Sequence, residues 1–511
     1  MYSNKIVKNS IANIIAKIWS ILSLYLFVPI WIHFLGVEGY GIISFFTILM
    51  TIMHFADAGL TATLTREFAR DDKDERYKRY LLRTIEVIYI GIALLLFILI
   101  FCFSSIIVNL FLKSDIYEHK DLCFFVQIMG LTLAIHFMYS MYSGGLLGLQ
   151  KQVIANVISV SYSISRCAIV ILPLLIWPSV KVFLIWQLIS IIIAFILARF
   201  YVVKSITVTG NDFSFRPHYI RLIWRFATGM MMMAVISALN TQLDKLVTGN
   251  VLSLANLGYY SLASTLGFAV LSIVQPLGVA FYPELTRIMS TEEKSDTLFL
   301  LFTYVISMIS TVIGMTIFFY FDEFAYLWTH NMETVNIIKI PARLLIIGNI
   351  FQSLQLSPYY LALSNGHTST NVKLGLFMLL FMIPSVYLLT KQIGLNGTAI
   401  PFVILNVIGY FYLGAVITNK FFCSKGLIWL KYSITPCLTC SLFVFLFFLI
   451  GSIFDNIITR TIYGALTCIL SFYFSIIILV NIYPAIVNYI PMKYKFFFNI
   501  NAGNLWKKKN F

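Results

Sequence analysis

A small set of ionisable and amide side chains stands inside stretches that are otherwise as apolar as lipid, and their types decide what chemistry the chain can host. Lys17 and Arg166 are cations; Asp57, Asp244 and His54 can carry or exchange a proton; Asn240, Gln275 and Gln352 pair donors with acceptors. A charge at the bilayer centre costs about 2.5–3.5 kcal/mol on insertion scales, so each asks for a watery cavity, a partner or an escape to the interface. Arg166 lies mid-span on a face shared with Ser159, Tyr162 and Ser163, too deep to reach either surface easily. Lys17, on a face with Asn13 and Ser20, lies about 10 Å from a helix end, so it can either snorkel or pair with Asp57. Thr47, His54, Asp57, Thr61 and Thr65 fall within about 80° of one another on a helical wheel, and Ser237, Asn240, Asp244 and Thr248 form another stripe. Lys245 stands about 100° from Asp244 and is not placed to be its direct partner.

The elements that must position these residues are membrane helices. Of the 511 residues 60% are hydrophobic and only 11% charged, with a mean hydropathy of +0.89, values that exclude a soluble domain with about 25% charged residues. Apolar stretches long enough to cross some 30 Å of hydrocarbon number about 14. The formal charge of +15 sits mostly in short loops between them, which points to a membrane face and not to nucleic acid. Assigning alternate sides puts about 25 of the 36 basic residues on the side of the N-terminus, which makes both termini cytoplasmic. Trp31, Trp177, Trp328 and Tyr320 sit near span ends, where aromatic belts lie. The lone Cys437-x-x-Cys440 reads as core packing, and His33, His136, His330 and His367 are scattered without metal-ligand spacing. No cofactor is expected, and neither a GxxxxGK[ST] phosphate loop nor a GxSxG is present, so no ATPase or hydrolase core is encoded.

The chain repeats itself weakly. Gly39-Tyr40-Gly41 and Leu64-Thr65-Arg66 return as Gly258-Tyr259-Tyr260 and Leu285-Thr286-Arg287, and Gly148-Leu149-Gln150-Lys151 is echoed by Asn365-Gly366-His367. An even number of spans between copies means that both point the same way, about an axis along the membrane normal. The expected architecture is all-α and integral to the membrane: an N-lobe of six helices over residues 1–210, a C-lobe of six over 211–425, two added helices over 426–490 and a basic cytoplasmic tail over 491–511.

With the FLGVEGYG turn, Asp57-Ala58-Gly59-Leu60, Leu64-Thr65-Arg66, the Gly148 to Lys151 loop and Leu257-Gly258-Tyr259 in hand, the chain resembles Wzx-type O-antigen flippases. These belong to the multidrug/oligosaccharidyl-lipid/polysaccharide (MOP) exporter superfamily, whose two-lobed fold is MATE-like. The resemblance covers essentially the whole chain. It implies a transporter, not an enzyme, that moves undecaprenyl-pyrophosphate-linked oligosaccharide repeat units from the cytoplasmic to the periplasmic leaflet of a bacterial inner membrane by alternating access. A polysaccharide polymerase and a chain-length regulator are implied as partners beside membrane lipids. On this reading Lys17, Arg166, Asn240, Gln275 and Gln352 bind substrate, and Asp57, Asp244 and His54 couple transport to an ion gradient. A multidrug cation antiporter of the same fold would put net acid in its cleft, and the buried set here is at least as basic as acidic. A membrane glycan polymerase would need a large external loop, and the longest candidate, Asp322 to Lys339, is under about 20 residues, the size of a connector.

Overall fold

Apolar runs leave the backbone no water to bond, so each must satisfy its own N–H and C=O groups, and a helix does so within one segment. The computed structural model describes residues 2–70, 74–206, 236–289, 296–422 and 426–482, all helices and short connections, with no strand among the described residues. Twelve of these helices are long and apolar enough to cross a membrane. The chain is a multi-pass, all-α membrane protein. The count differs from about 14 for two local reasons. The apolar run centred near Ala234 lies largely outside the described residues. The runs centred near Leu22 and Met50 form two helical segments that meet end to end at a kink and count as one continuous span; together they are α1 (Tyr2–Phe68), and the kink is Gly36, where φ 70° and ψ 177° suit only a residue without a side chain.

The remaining elements are α2 (Glu75–Cys102), α3 (Ser104–Phe111), α4 (His119–Gly148), α5 (Gln152–Ile164), a π turn (Ser165–Ile169), α6 (Ile171–Ile176), α7 (Val180–Ser205), α8 (236–251), α9 (Leu254–Met289), α10 (Asp296–Phe319), α11 (Phe321–Thr329), α12 (Met332–Leu354), α13 (Leu356–Ser364), α14 (Ser369–Ile393), α15 (Leu395–Phe421), α16 (Gly426–Gly451) and α17 (Ile457–Ile482). They divide into two units. The first holds Met1–Ser261 with Leu379–Thr398, and the second Leu262–Met378 with Ala399–Phe511.

In the first unit α4 packs on α1, α2 and α7 and is buried along most of its length. Small residues set its distance from α1: a Cβ at Gly144 would meet Thr61 Cγ2 at 2.3 Å, and one at Gly148 would meet the Thr65 carbonyl at 2.6 Å. Close approach of this kind is how membrane helices gain packing where lipid supplies no hydrophobic drive. Thr65 Oγ1 also donates to the Gly144 carbonyl at 2.9 Å. The two GY segments seat on each other with the same device, since a Cβ on Gly41 would strike the Leu254 carbonyl and one on Gly258 the Val37 carbonyl.

In the second unit α10 packs on α12, α16 and α17 around Tyr304, Met308, Val312 and Cys440. Cys437 accepts from Thr311 Oγ1 at 3.3 Å and Cys440 meets Ser475 Oγ at 2.9 Å, so both thiols hold helices together.

Candidate functional site: a cation on a π turn

The α-helical ladder slips at Ser165. The Val170 N–H reaches back five residues to the Ser165 carbonyl, and Pro173 brings no N–H for the carbonyl four residues before it. A π turn leaves carbonyls to be met from outside and occurs often at functional positions. Here they are met one by one: Trp186 Nε1 donates to the Ser165 carbonyl at 2.9 Å, Gln187 Nε2 to the Arg166 carbonyl at 2.9 Å, and Trp31 Nε1 to the Cys167 carbonyl at 3.3 Å. Ser165 and Ser190 hydroxyls meet at 2.8 Å. The turn is therefore clamped from α7 and α1. Trp31, only 5% exposed, is a clamp and not the belt residue its place near a span end suggests; Tyr320 is likewise fully buried, whereas Trp177, 64% exposed, fits a belt.

Arg166 rides on this turn. Its Cζ lies 5.7 Å from the centre of the Tyr162 ring, its Nε is shielded from solvent with no hydrogen-bond partner, and among the described residues no carboxylate lies within ion-pair distance of it. The side chain is partly accessible. A guanidinium without a counter-ion in a poorly polarisable setting attracts an anion far more strongly than it would in water, and its planar fork matches phosphate.

Aromatic rings connect Arg166 to α1. Tyr162 lies 5.9 Å from Tyr139 and 6.1 Å from His136, and His136 meets His54 edge-on at 5.5 Å. One turn along α1, Asp57 is 3% exposed and accepts from Tyr89 OH at 2.5 Å and Thr61 Oγ1 at 2.8 Å. Three of the expected residues, His54, Asp57 and Arg166, thus gather about one helix, α4. Asp244, 6% exposed, has its own group in the same unit: Tyr260 OH donates to it at 2.8 Å and the Lys245 backbone N–H at 2.8 Å. Both intramembrane aspartates are therefore held by a tyrosine hydroxyl, and Asp244 also takes the backbone N–H of Lys245. Asn240 is half-buried on α8; in the second unit Gln275 is exposed on α9 and Gln352 half-buried on α12. Beside Gln352 it is Gln355 that is buried, donating to Asn406 Oδ1 at 3.1 Å. Lys17 lies on α1, but its side chain falls outside the described residues, so its pairing with Asp57 stays an expectation.

His136, Tyr89 and Tyr139 were not among the expected site residues. For two of them a signal was present: His136, Tyr139 and Ser143 follow each other at helical spacing within an otherwise apolar run, whereas nothing in the sequence around Tyr89 marks it. No group of three or more His, Cys, Asp or Glu side chains that could hold a metal occurs among the described residues.

The family model for polysaccharide biosynthesis protein matches residues 6–289, which include the whole of this cluster. The chain belongs to the polysaccharide biosynthesis protein family. This family member is 22% identical over 379 residues, 72% of its own length and 86% of the relative's, to a Shigella flexneri protein whose name assigns it to O-antigen transport. Its fold is that of the lipid II flippase MurJ in an inward closed conformation (TM-score 0.69, 17% identity, 93% of this chain and 99% of that one). A multidrug resistance MATE family transporter of the MOP superfamily, facing inward, shares it as well (TM-score 0.61, 16% identity, 81% and 98%). The resemblance to a polysaccharide-exporting family drawn from the short motifs is borne out, and so is the MATE-like fold it implies.

Proposed function

We propose that this family member flips an undecaprenyl-pyrophosphate-linked oligosaccharide, a repeat unit of O-antigen or a related surface polysaccharide, from the cytoplasmic to the periplasmic leaflet of the inner membrane. The observation that carries the reading is Arg166: a partly accessible guanidinium on a clamped turn, with no carboxylate within ion-pair distance among the described residues, in a family concerned with polysaccharide synthesis. A pyrophosphate head supplies the missing counter-charge, and the Tyr162 and Tyr139 rings and hydroxyls beside it suit sugar faces and sugar hydroxyls. A cationic drug would be repelled at the same place, which favours this reading over multidrug antiport. Asp57, with His54 one turn before it, is the proposed ion-coupling group, and Asp244 a second; each carboxyl is already ligated by a hydroxyl that a proton or sodium ion would displace or share. Both termini are placed in the cytoplasm by the distribution of Lys and Arg. Asn240, Gln275, Gln352 and Lys17 are proposed to follow the sugar and phosphate through an alternating-access cycle. The flipped unit would then pass to a polymerase and a chain-length regulator.

A strain deleted for this chain is expected to accumulate lipid-linked repeat units on the cytoplasmic leaflet. Wild type should clear them and Arg166→Ala should not, at equal protein abundance. Clearance by Arg166→Ala would remove the proposed binding role.

A further inference from the structure

Away from the Arg166 cluster, α2, α4 and α7 enclose a slot of about 330 Å³ whose lining changes character along its length. Ala93, Ala134 and Met138, each less than a tenth exposed, make its floor. Alanines where helices face each other leave room that larger side chains would fill. The rim carries Ile90 and Leu94, 42% and 55% exposed, so the slot opens onto the surface that lipid wets.

One end is polar. Glu86, 5% exposed, accepts from Tyr142 OH at 2.5 Å and from Arg83 Nη1 at 3.2 Å, and Arg199 Nε lies 3.7 Å away. Among the described residues, two guanidiniums share this one carboxylate, which leaves one positive charge unbalanced. Their side chains stay 49% and 53% exposed, so donors remain for a further anion. Arg83 closes the basic 66–83 segment and Arg199 precedes Lys204, so this end belongs to the Lys- and Arg-rich face of the membrane. From Arg83 to Phe97 α2 climbs about 21 Å at 1.5 Å per residue, enough for one leaflet of a bilayer whose hydrocarbon is about 30 Å thick.

We infer that this slot holds one acyl chain of an anionic phospholipid of the adjoining leaflet, with the lipid phosphate on Arg83 and Arg199. The excess positive charge selects a headgroup with net negative charge over a zwitterionic one, and the arginine fork matches phosphate oxygens. A depth of one leaflet suits an acyl chain and is outrun by a longer isoprenoid. The inference does not rest on the flippase reading, since it concerns different residues and a different ligand.

The test is native mass spectrometry of the purified full chain offered phosphatidylglycerol, phosphatidylethanolamine or an undecaprenyl pyrophosphate lipid in mild detergent. Wild type is expected to retain phosphatidylglycerol at least tenfold over phosphatidylethanolamine. The Arg83→Gln/Arg199→Gln pair should lose at least fivefold of that retention. Ala134→Phe, which fills the floor and leaves the arginines in place, should lose as much, with the melting temperature of each variant checking its fold. Equal retention by wild type and either folded variant overturns the inference. So does equal retention of the two phospholipids, or preferential retention of the isoprenoid lipid in a manner that Ala134→Phe abolishes.

Discussion

After the turn that closes α4, and again after the turn that closes α13, the chain enters a 25-residue apolar helix, Gln152–Ile176 in one case and Ser369–Ile393 in the other. The two turns are built alike. Gln150 (φ 57°) and Gly366 (φ 68°) both stand in the left-handed region. The Lys151 N–H returns to the Leu146 carbonyl as the His367 N–H returns to Ala362, at 2.9 and 2.8 Å, and Gln150 bonds Leu147 as Gly366 bonds Leu363, each at 3.0 Å. This double bond pattern caps the last carbonyls of a helix. Beyond it the copies part. At the offset that carries Gln150 onto Gly366, Arg166 falls on Met382, 4% exposed and two residues before Pro384. The second helix carries no π turn. The repeated part is the device that turns the chain, and of these two helices only the first carries a π turn and a cation upon it.

The largest effect that would sharpen this contrast is expected at the unmatched pair. Arg166→Ala should lower surface glycan at least tenfold, and Arg166→Lys, which keeps charge but loses the planar fork, should restore only part of it. Met382→Leu, a swap that nearly conserves volume, should stay within twofold of wild type. Equal losses at both positions would erase the asymmetry. Next, Asp57→Asn, which keeps the shape and removes the titrating carboxyl, should cut gradient-driven transport at least fivefold in vesicles while leaving substrate binding within twofold. A loss of binding instead would move Asp57 from coupling to the binding site.

Smaller effects concern the scaffold. Gln187→Leu strips the Arg166 carbonyl of its donor, and an unmet buried carbonyl should cost about 1–3 kcal/mol in detergent unfolding, with transport reduced because the turn no longer holds Arg166 in place. The smallest effects belong to the matched turns. Gln150→Gly relieves a left-handed side chain and should stabilise by up to about 1 kcal/mol, and Gly366→Gln should destabilise by a similar amount, since L-residues are disfavoured there by about 1–2 kcal/mol. Opposite signs in the two copies would confirm that one geometry is held by two residue types.

The fold was readable because apolar length alone dictates spanning helices, and the echo of Gly148 to Lys151 in Asn365 to His367 marked a turn that is in fact repeated. The Gly36 break was marked by the glycines around it. Arg166, Asp57 and His54 were readable as costly groups in lipid. The π turn was not, because what sustains it comes from Trp31, Trp186 and Gln187, two of them on a helix that follows and one more than a hundred residues earlier. Local periodicity cannot register carbonyls satisfied from so far away. Nothing in the sequence singles out Glu86, which stands just past a basic loop; only packing shows it buried beside two arginines. The polar spacing of His136 and Tyr139 was visible in the sequence, but what made His136 part of the site is its contact with His54 on α1, which only packing supplies.

The most direct test of the central claim is a translocation assay in proteoliposomes loaded with a labelled undecaprenyl-pyrophosphate oligosaccharide, following the fraction that becomes accessible on the opposite leaflet. Wild type and Met382→Leu should expose it at the same rate, and Arg166→Ala should stay at the protein-free background. Translocation by Arg166→Ala at the wild-type rate would contradict the account.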